Sequence, residues 1–215
     1  MANLIFWDAD TQHDLMLPDG RLYVPHAEHL APNLKQLTEY AHAEDIPILA
    51  TACDHSLEDE EISSTPDLER TFPPHCLRHT PGSRKIPATT MRHPVVIETE
   101  LQDPGSLRAL VEDHDGEVLV KKQQFDVFSN PNAAGVVDAL APDHVVVYGV
   151  PLETAARTAI DGLLERGITV HLVTDAVQAM RPEVAPALLK AWGRRGVLMT
   201  STAQIVSGGY LARLG

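Results

Sequence analysis

Cysteine is scarce in this 215-residue chain: Cys53 and Cys76 are the only two, too few for a disulfide framework. That scarcity fits a reducing compartment. Basic residues are also few, 17 Lys and Arg against 30 Asp and Glu, giving a formal charge of -13. Phosphate backbones are bound by clustered Lys and Arg, so a nucleic-acid partner is not expected. The first apolar run is confined to Leu4 through Trp7 and is followed at once by Asp8, Asp10 and Asp14. This is not a signal-peptide pattern, and the expectation is a cytoplasmic protein with no membrane partner. Repeats and low-complexity tracts are absent, which removes solenoid and linker readings.

What is present is a 44% hydrophobic composition, enough to bury one substantial core, and a single domain spanning 1–215 is expected. Consecutive apolar residues at Asn3 to Trp7, Ile46 to Ala50, Glu117 to Lys121, His144 to Tyr148, Thr169 to Val173 and Gly196 to Thr200 read as buried strands. Helical spacing appears between them, at Leu30, Leu34, Leu37 and Ala41, and again at Ala156, Ala159, Ile160 and Leu163. Strands alternating with helices predict an α/β three-layer sandwich: a Rossmann-like, six-stranded, mostly parallel sheet with helices on both faces. The proline-containing stretch from Ser83 to Gly116 reads as a surface excursion with one short helix around Ser106 to Glu112.

Ligands of open α/β sheets bind at the carboxyl ends of the strands, so three such ends draw attention. After the first strand comes Asp8-Ala9-Asp10, where a carboxylate suits acid or base work and equally suits a turn cap. After the second come Cys53, Asp54 and His55, an acidic run from Glu58 to Glu61, and His75-Cys76; their composition fits a metal site or a solvated loop. After the central strand, Gly149-Val150-Pro151 leads into a helix, and the Val150–Pro151 bond is predicted cis.

These motifs together resemble the isochorismatase-like hydrolases, the family that holds the nicotinamidases and other cysteine amidases. Asp10, Gln12, Asp14 and Leu15 match its opening D-x-Q-x-D-F; Gly20, Leu22, Val24 and Pro25 match G-x-L-x-V-P. Lys122, Phe125, Asp126 and Phe128 match K-x-x-(F/Y)-(S/D)-x-F. Gly149, Val150, Leu152, Glu153 and Ala159 match the nucleophile turn. The resemblance runs from Leu4 to about Thr202.

It implies Asp10 as general acid/base, Lys122 as its catalytic partner, and Val150, Pro151 and residue 155 as the substrate-binding and oxyanion turn. The nucleophilic cysteine of the family falls on Ala155, whose methyl group cannot attack a carbonyl. It also implies a divalent metal (Zn, Fe or Mn) near His55, Glu61 and His75. The first ligand position, an aspartate in the family, holds Cys53 here with Asp54 beside it, and either is a candidate. No organic cofactor is implied. The expected partner is a small-molecule amide, and a homodimer or homotetramer is the expected assembly. Three functions accommodate Ala155: an amidase scaffold lacking its nucleophile, a vinyl-ether hydrolase that needs no cysteine, or a binding pseudoenzyme.

Overall fold

The computed structural model describes residues 3–114 and 116–213. Strands β1 (Leu4–Ala9), β2 (Ile48–Cys53), β3 (Val95–Ile97), β4 (Val118–Lys122), β5 (His144–Gly149), β6 (Thr169–Val177) and β7 (Leu198–Thr200) form one sheet in the order β3-β4-β2-β1-β5-β6-β7. Every neighbouring pair is parallel. Helices α1 (His13–Met16), α2 (Ala31–Ala43), α3 (Pro104–Glu112), α4 (Ala133–Leu140), α5 (Arg157–Glu165), α6 (Ala185–Arg194) and α7 (Thr202–Val206) pack around it. The result is the expected three-layer α/β sandwich with one correction, since the sheet has seven strands rather than six. The additional strand is β3, three residues just after Pro94 that pair with Val118–Val120 at the sheet edge.

The central strands are apolar for the expected reason. Val145 to Tyr148 on β5 and Ile5 to Trp7 on β1 are covered on both faces and fully buried. Leu30, just before α2, and Leu34, Leu37 and Ala41 on it are buried in the core, as are Ala159, Ile160 and Leu163 on α5. β2 starts two residues later than the apolar pattern suggests and runs on to Cys53, because Thr51, Ala52 and Cys53 pair with Val120, Lys121 and Lys122 of β4. That extension brings Cys53 level with Lys122 in the sheet register.

β5 and β1 end side by side, Gly149 opposite Ala9, and the Val150 N–H donates to the Ala9 carbonyl at 2.9 Å. The following Val150–Pro151 bond is cis, as expected. Gly149 has φ +114°, and a Cβ there would lie 2.1 Å from the Ala9 oxygen. Gly149→Ala is therefore expected to cost at least about 1–3 kcal/mol of folding free energy, the scale of a residue forced into glycine-only backbone space. A urea midpoint equal to that of the unaltered protein would refute this.

Candidate active site and metal centre

The sheet order sets the ends of β4, β2, β1 and β5 in a row, and the first three contribute to one buried group. Asp10 follows β1 in a left-handed conformation, φ +47°, that few non-glycine residues adopt and that aims its carboxylate toward β2 and β4. Lys122 ends β4 and places Nζ 2.6 Å from Asp10 Oδ2. The Thr51 hydroxyl donates to Asp10 Oδ1 at 2.5 Å. The Cys53 thiol lies 3.5 Å from Asp10 Oδ2 and 3.2 Å from Lys122 Nζ.

With Asp10 0% and Lys122 1% exposed, this is a desolvated ion pair. Burial disfavours the ammonium of Lys122, but Asp10 and Cys53 outweigh it and the lysine titrates above its ordinary range. Burial, reinforced by Asp10 and opposed by Lys122, pushes the Cys53 thiol well up.

Ala155 lies in a π-helical turn, Leu152–Ala156, between the cis bond and α5, and is 3% exposed. The Thr158 hydroxyl makes contacts of 3.2 Å with both the Ala155 and the Phe125 carbonyls. The Phe125 ring in turn sits 5.2 Å from Lys122 Nζ. The turn is thus tied through Thr158 to the loop that follows Lys122. A cavity of about 520 Å³ opens beside this junction, lined by Glu61, Phe72, Phe125, Phe128, Thr154 and Thr158 among others. Asp10 and Lys122 lie buried outside its lining.

The second cluster adjoins the first. Cys53, His55 and His75 are all buried, and one ligand atom from each lies within 4.8 Å of the others. The imidazole rings of His55 and His75 are 4.6 Å apart. Glu61 Oε2 is 3.7 Å from His55 Nε2, and Asp59 Oδ2 is 3.5 Å from His55 Nδ1. His75 Nδ1 is 2.9 Å from the Pro73 carbonyl, which makes Nδ1 the protonated nitrogen and leaves the Nε2 lone pair facing inward.

Both nitrogens of His55, Nε2 of His75 and Oε2 of Glu61 are buried without a hydrogen-bond partner. Buried polar atoms are rarely left so; His55 and His75 each bring a ligand atom to the same neighbourhood as Cys53 Sγ, and Glu61 Oε2 lies 3.7 Å from His55 Nε2. Burial lowers His55 to about 3, with His75 adding to the effect, and lowers His75 to about 4, so both are neutral donors. Burial raises Glu61 to about 7. The donor set fits a divalent ion.

Asp54 does not join this group, which corrects one of the two candidates for the first ligand position. Adjacent residues along a strand face opposite ways, and Asp54 lies on the outer side. Its carboxylate pairs there with Arg78 Nε at 2.8 Å and lies 3.7 Å from Lys121 Nζ. Lys121 likewise turns outward, to Glu98.

Gln12, Asp14 and Thr51 have structural duties that the sequence did not reveal. The Gln12 side chain accepts from Cys53 N–H and donates to Cys53 C=O, both at 2.8 Å. Asp14 Oδ2 accepts from Cys76 N–H at 2.7 Å and so fixes the turn bearing His75. Thr51 carried a usable signal, being two residues before Cys53 on one strand and therefore on the same face.

Three buried histidines imply a pH response. His171 is lowered to about 4 by burial and by His144, alongside His55 and His75. The unfolded chain takes up these protons below about 6.5 while the fold resists them, so stability of the metal-free protein falls as pH drops from about 6.5 toward 4. Glu61, raised to about 7, acts in the opposite sense between about 4.5 and 7, one group against three. Urea midpoints at pH 7.5 and pH 5 in the presence of a chelator check this; a higher midpoint at pH 5 would contradict it.

A parallel sandwich with a buried carboxylate–lysine pair at its strand ends, beside a cis turn, defines an α/β class with its candidate site at the carboxyl edge of the sheet. The isochorismatase domain model matches residues 97–204, half of the chain, and the chain belongs to the isochorismatase family. No curated protein matches it. Among solved structures it is similar to an isochorismatase family protein from Desulfovibrio vulgaris subsp. vulgaris str. Hildenborough, with 20% identity, TM-score 0.75, and 99% of this chain and 100% of that one covered. It is also similar to the pyrazinamidase of Pyrococcus horikoshii in complex with zinc, with 22% identity, TM-score 0.68, and 93% and 99% covered. A third is the nicotinamidase/pyrazinamidase of Bacillus subtilis, with 14% identity, TM-score 0.71, and 93% and 100% covered. Among the described residues no helix is long and apolar enough to cross a membrane.

Proposed function

We propose that the chain carries a nicotinamidase-type amidase site for the C–N bond of a small-molecule amide, in which residue 155 offers a methyl group in place of the attacking thiol. The observation that carries this reading is the buried Asp10–Lys122 pair, 2.6 Å apart, with Asp10 just past the end of β1, the strand beside the β5 that leads into the turn of Ala155. An acid/base carboxylate positioned by a lysine is what amide cleavage requires after attack, when the leaving ammonia must be given a proton. Of the three residues expected at the oxyanion position, Val150 already donates its N–H to Ala9, and Pro151 has none. That role accordingly falls to Ala155.

The cavity lined by Phe125 and Thr158 would take the amide, with the Phe125 ring as the wall between it and Lys122. His55 and His75, with Glu61 beside them, would hold a divalent ion, which would supply a Lewis acid to the same site when bound. Asp10 accepts or returns the proton at Oδ2, and Lys122 compensates the charge that the carboxylate carries.

With Ala155 the unaltered chain is expected to bind small carboxamides without releasing ammonia. Calorimetric titration with nicotinamide and pyrazinamide, paired with an ammonia assay, tests this. Ala155 itself favours a second reading, vinyl-ether hydrolysis by proton transfer from Asp10, which requires no thiol. Turnover of isochorismate by the unaltered chain would establish that reading and displace the first.

A further inference from the structure

We propose that Cys53 is a thiolate ligand of the ion, making this a sulfur-containing site that selects zinc or cobalt over manganese and that touches the Asp10–Lys122 pair directly. The inference rests on the metal part of the reading above and specifies its ligands and ion class. Position 53 is fixed by backbone geometry: Gln12 clamps its N–H and its carbonyl, and the register with Lys122 turns its side chain inward. Sγ then shares a 4.8 Å neighbourhood with the ligand atoms of His55 and His75.

The neighbouring carboxylate that would make an all-oxygen and nitrogen site, Asp54, is held on the opposite side by Arg78. Its carboxylate is engaged there by Arg78 at 2.8 Å and lies 3.7 Å from Lys121 Nζ. One thiolate and two imidazoles, with the Glu61 carboxylate beside them, suit Zn²⁺ and Co²⁺, whereas Mn²⁺ prefers a set made wholly of oxygen and nitrogen. On coordination the thiol proton passes to solvent and the sulfur keeps its electron pair for the ion.

The same sulfur lies 3.2 Å from Lys122 Nζ and 3.5 Å from Asp10 Oδ2, so one atom borders both the ion and the acid/base pair. Residue 53 is thus a positioning residue for Lys122 as well as a ligand.

The test needs no turnover. Co²⁺ added to the metal-free full chain is expected to give a near-ultraviolet sulfur-to-cobalt charge-transfer band, retained in Cys76→Ser and lost in Cys53→Asp. In the aspartate variant the ratio of zinc to manganese affinity is expected to fall at least about tenfold. X-ray absorption at the zinc edge of the unaltered protein supplies a reading that does not depend on any variant folding: one sulfur at about 2.3 Å is expected. Cobalt binding with no band, a zinc shell without sulfur, or a band that survives Cys53→Asp would overturn the proposal. Absence of any metal binding would overturn it too, while leaving the amide-binding titration free to succeed or fail separately.

Discussion

Ala155→Cys is expected to release ammonia from nicotinamide or pyrazinamide at a rate at least about a hundredfold above that of the unaltered chain. A positioned acid/base group alone contributes about 10²–10⁴ to such reactions, and the variant adds the nucleophile on which that group acts. The atoms balance simply. The thiol proton goes to Asp10, sulfur bonds to the carbonyl carbon, the C–N bond breaks as ammonia takes the proton back, and water then hydrolyses the thioester.

Residue 155 is 3% exposed in a turn whose carbonyl is held by Thr158, so the backbone that would carry the sulfur is already fixed. The control is Ala155→Cys combined with Asp10→Asn, which should return to background. A folded single variant with no ammonia release on any small amide would show that residue 155 does not meet the carbonyl, and the amidase reading would fall.

The second large effect concerns stability. Lys122→Met removes the ammonium but keeps most of the stem, leaving the carboxylate of Asp10 buried with Thr51 and the Cys53 thiol as its remaining partners. Breaking a buried pair from one side costs about 3–5 kcal/mol, because the surviving charge is neither solvated nor compensated. At about 2–4 °C per kcal/mol for a chain of this length, the melting temperature should fall by roughly 6–20 °C.

Asp10→Asn added to Lys122→Met should recover a good part of that loss, since no charge then remains to be stranded. Urea denaturation of the two variants in a chelator measures both. A single variant within about 1 kcal/mol of the unaltered protein would mean that water reaches the pair, contrary to its burial.

Much of the fold was legible because buried parallel strands are apolar without interruption. Val145 to Tyr148 could hardly be anything else. β3 was not legible: Val95, Val96 and Ile97 lie in a proline-containing stretch and gain strand character only by pairing with β4. β6 was read four residues short, because Thr174 and Asp175 are exposed and break the apolar pattern while the chain stays extended past a register shift opposite Gly149. Asp10 and Lys122 were found through a resemblance.

The choice between Cys53 and Asp54 depended on parity along β2. Once the strand is known to include Thr51 and Cys53, alternate residues face Asp10 and the intervening ones face Arg78 and Lys121. The apolar run ends at Ala50, so the sequence did not show where that alternation stops.

The grip of Gln12 on the main chain of residue 53 has a practical corollary. Because a neighbour's amide, and not the residue's own side chain, holds that stretch of backbone in place, position 53 is an interchangeable socket. Aspartate, histidine or selenocysteine installed there would each start from the same Cα and aim at the same point. One scaffold could then be tuned from a hard-ion to a soft-ion cofactor by a single codon, with the acid/base pair next door serving as the gauge of what changed.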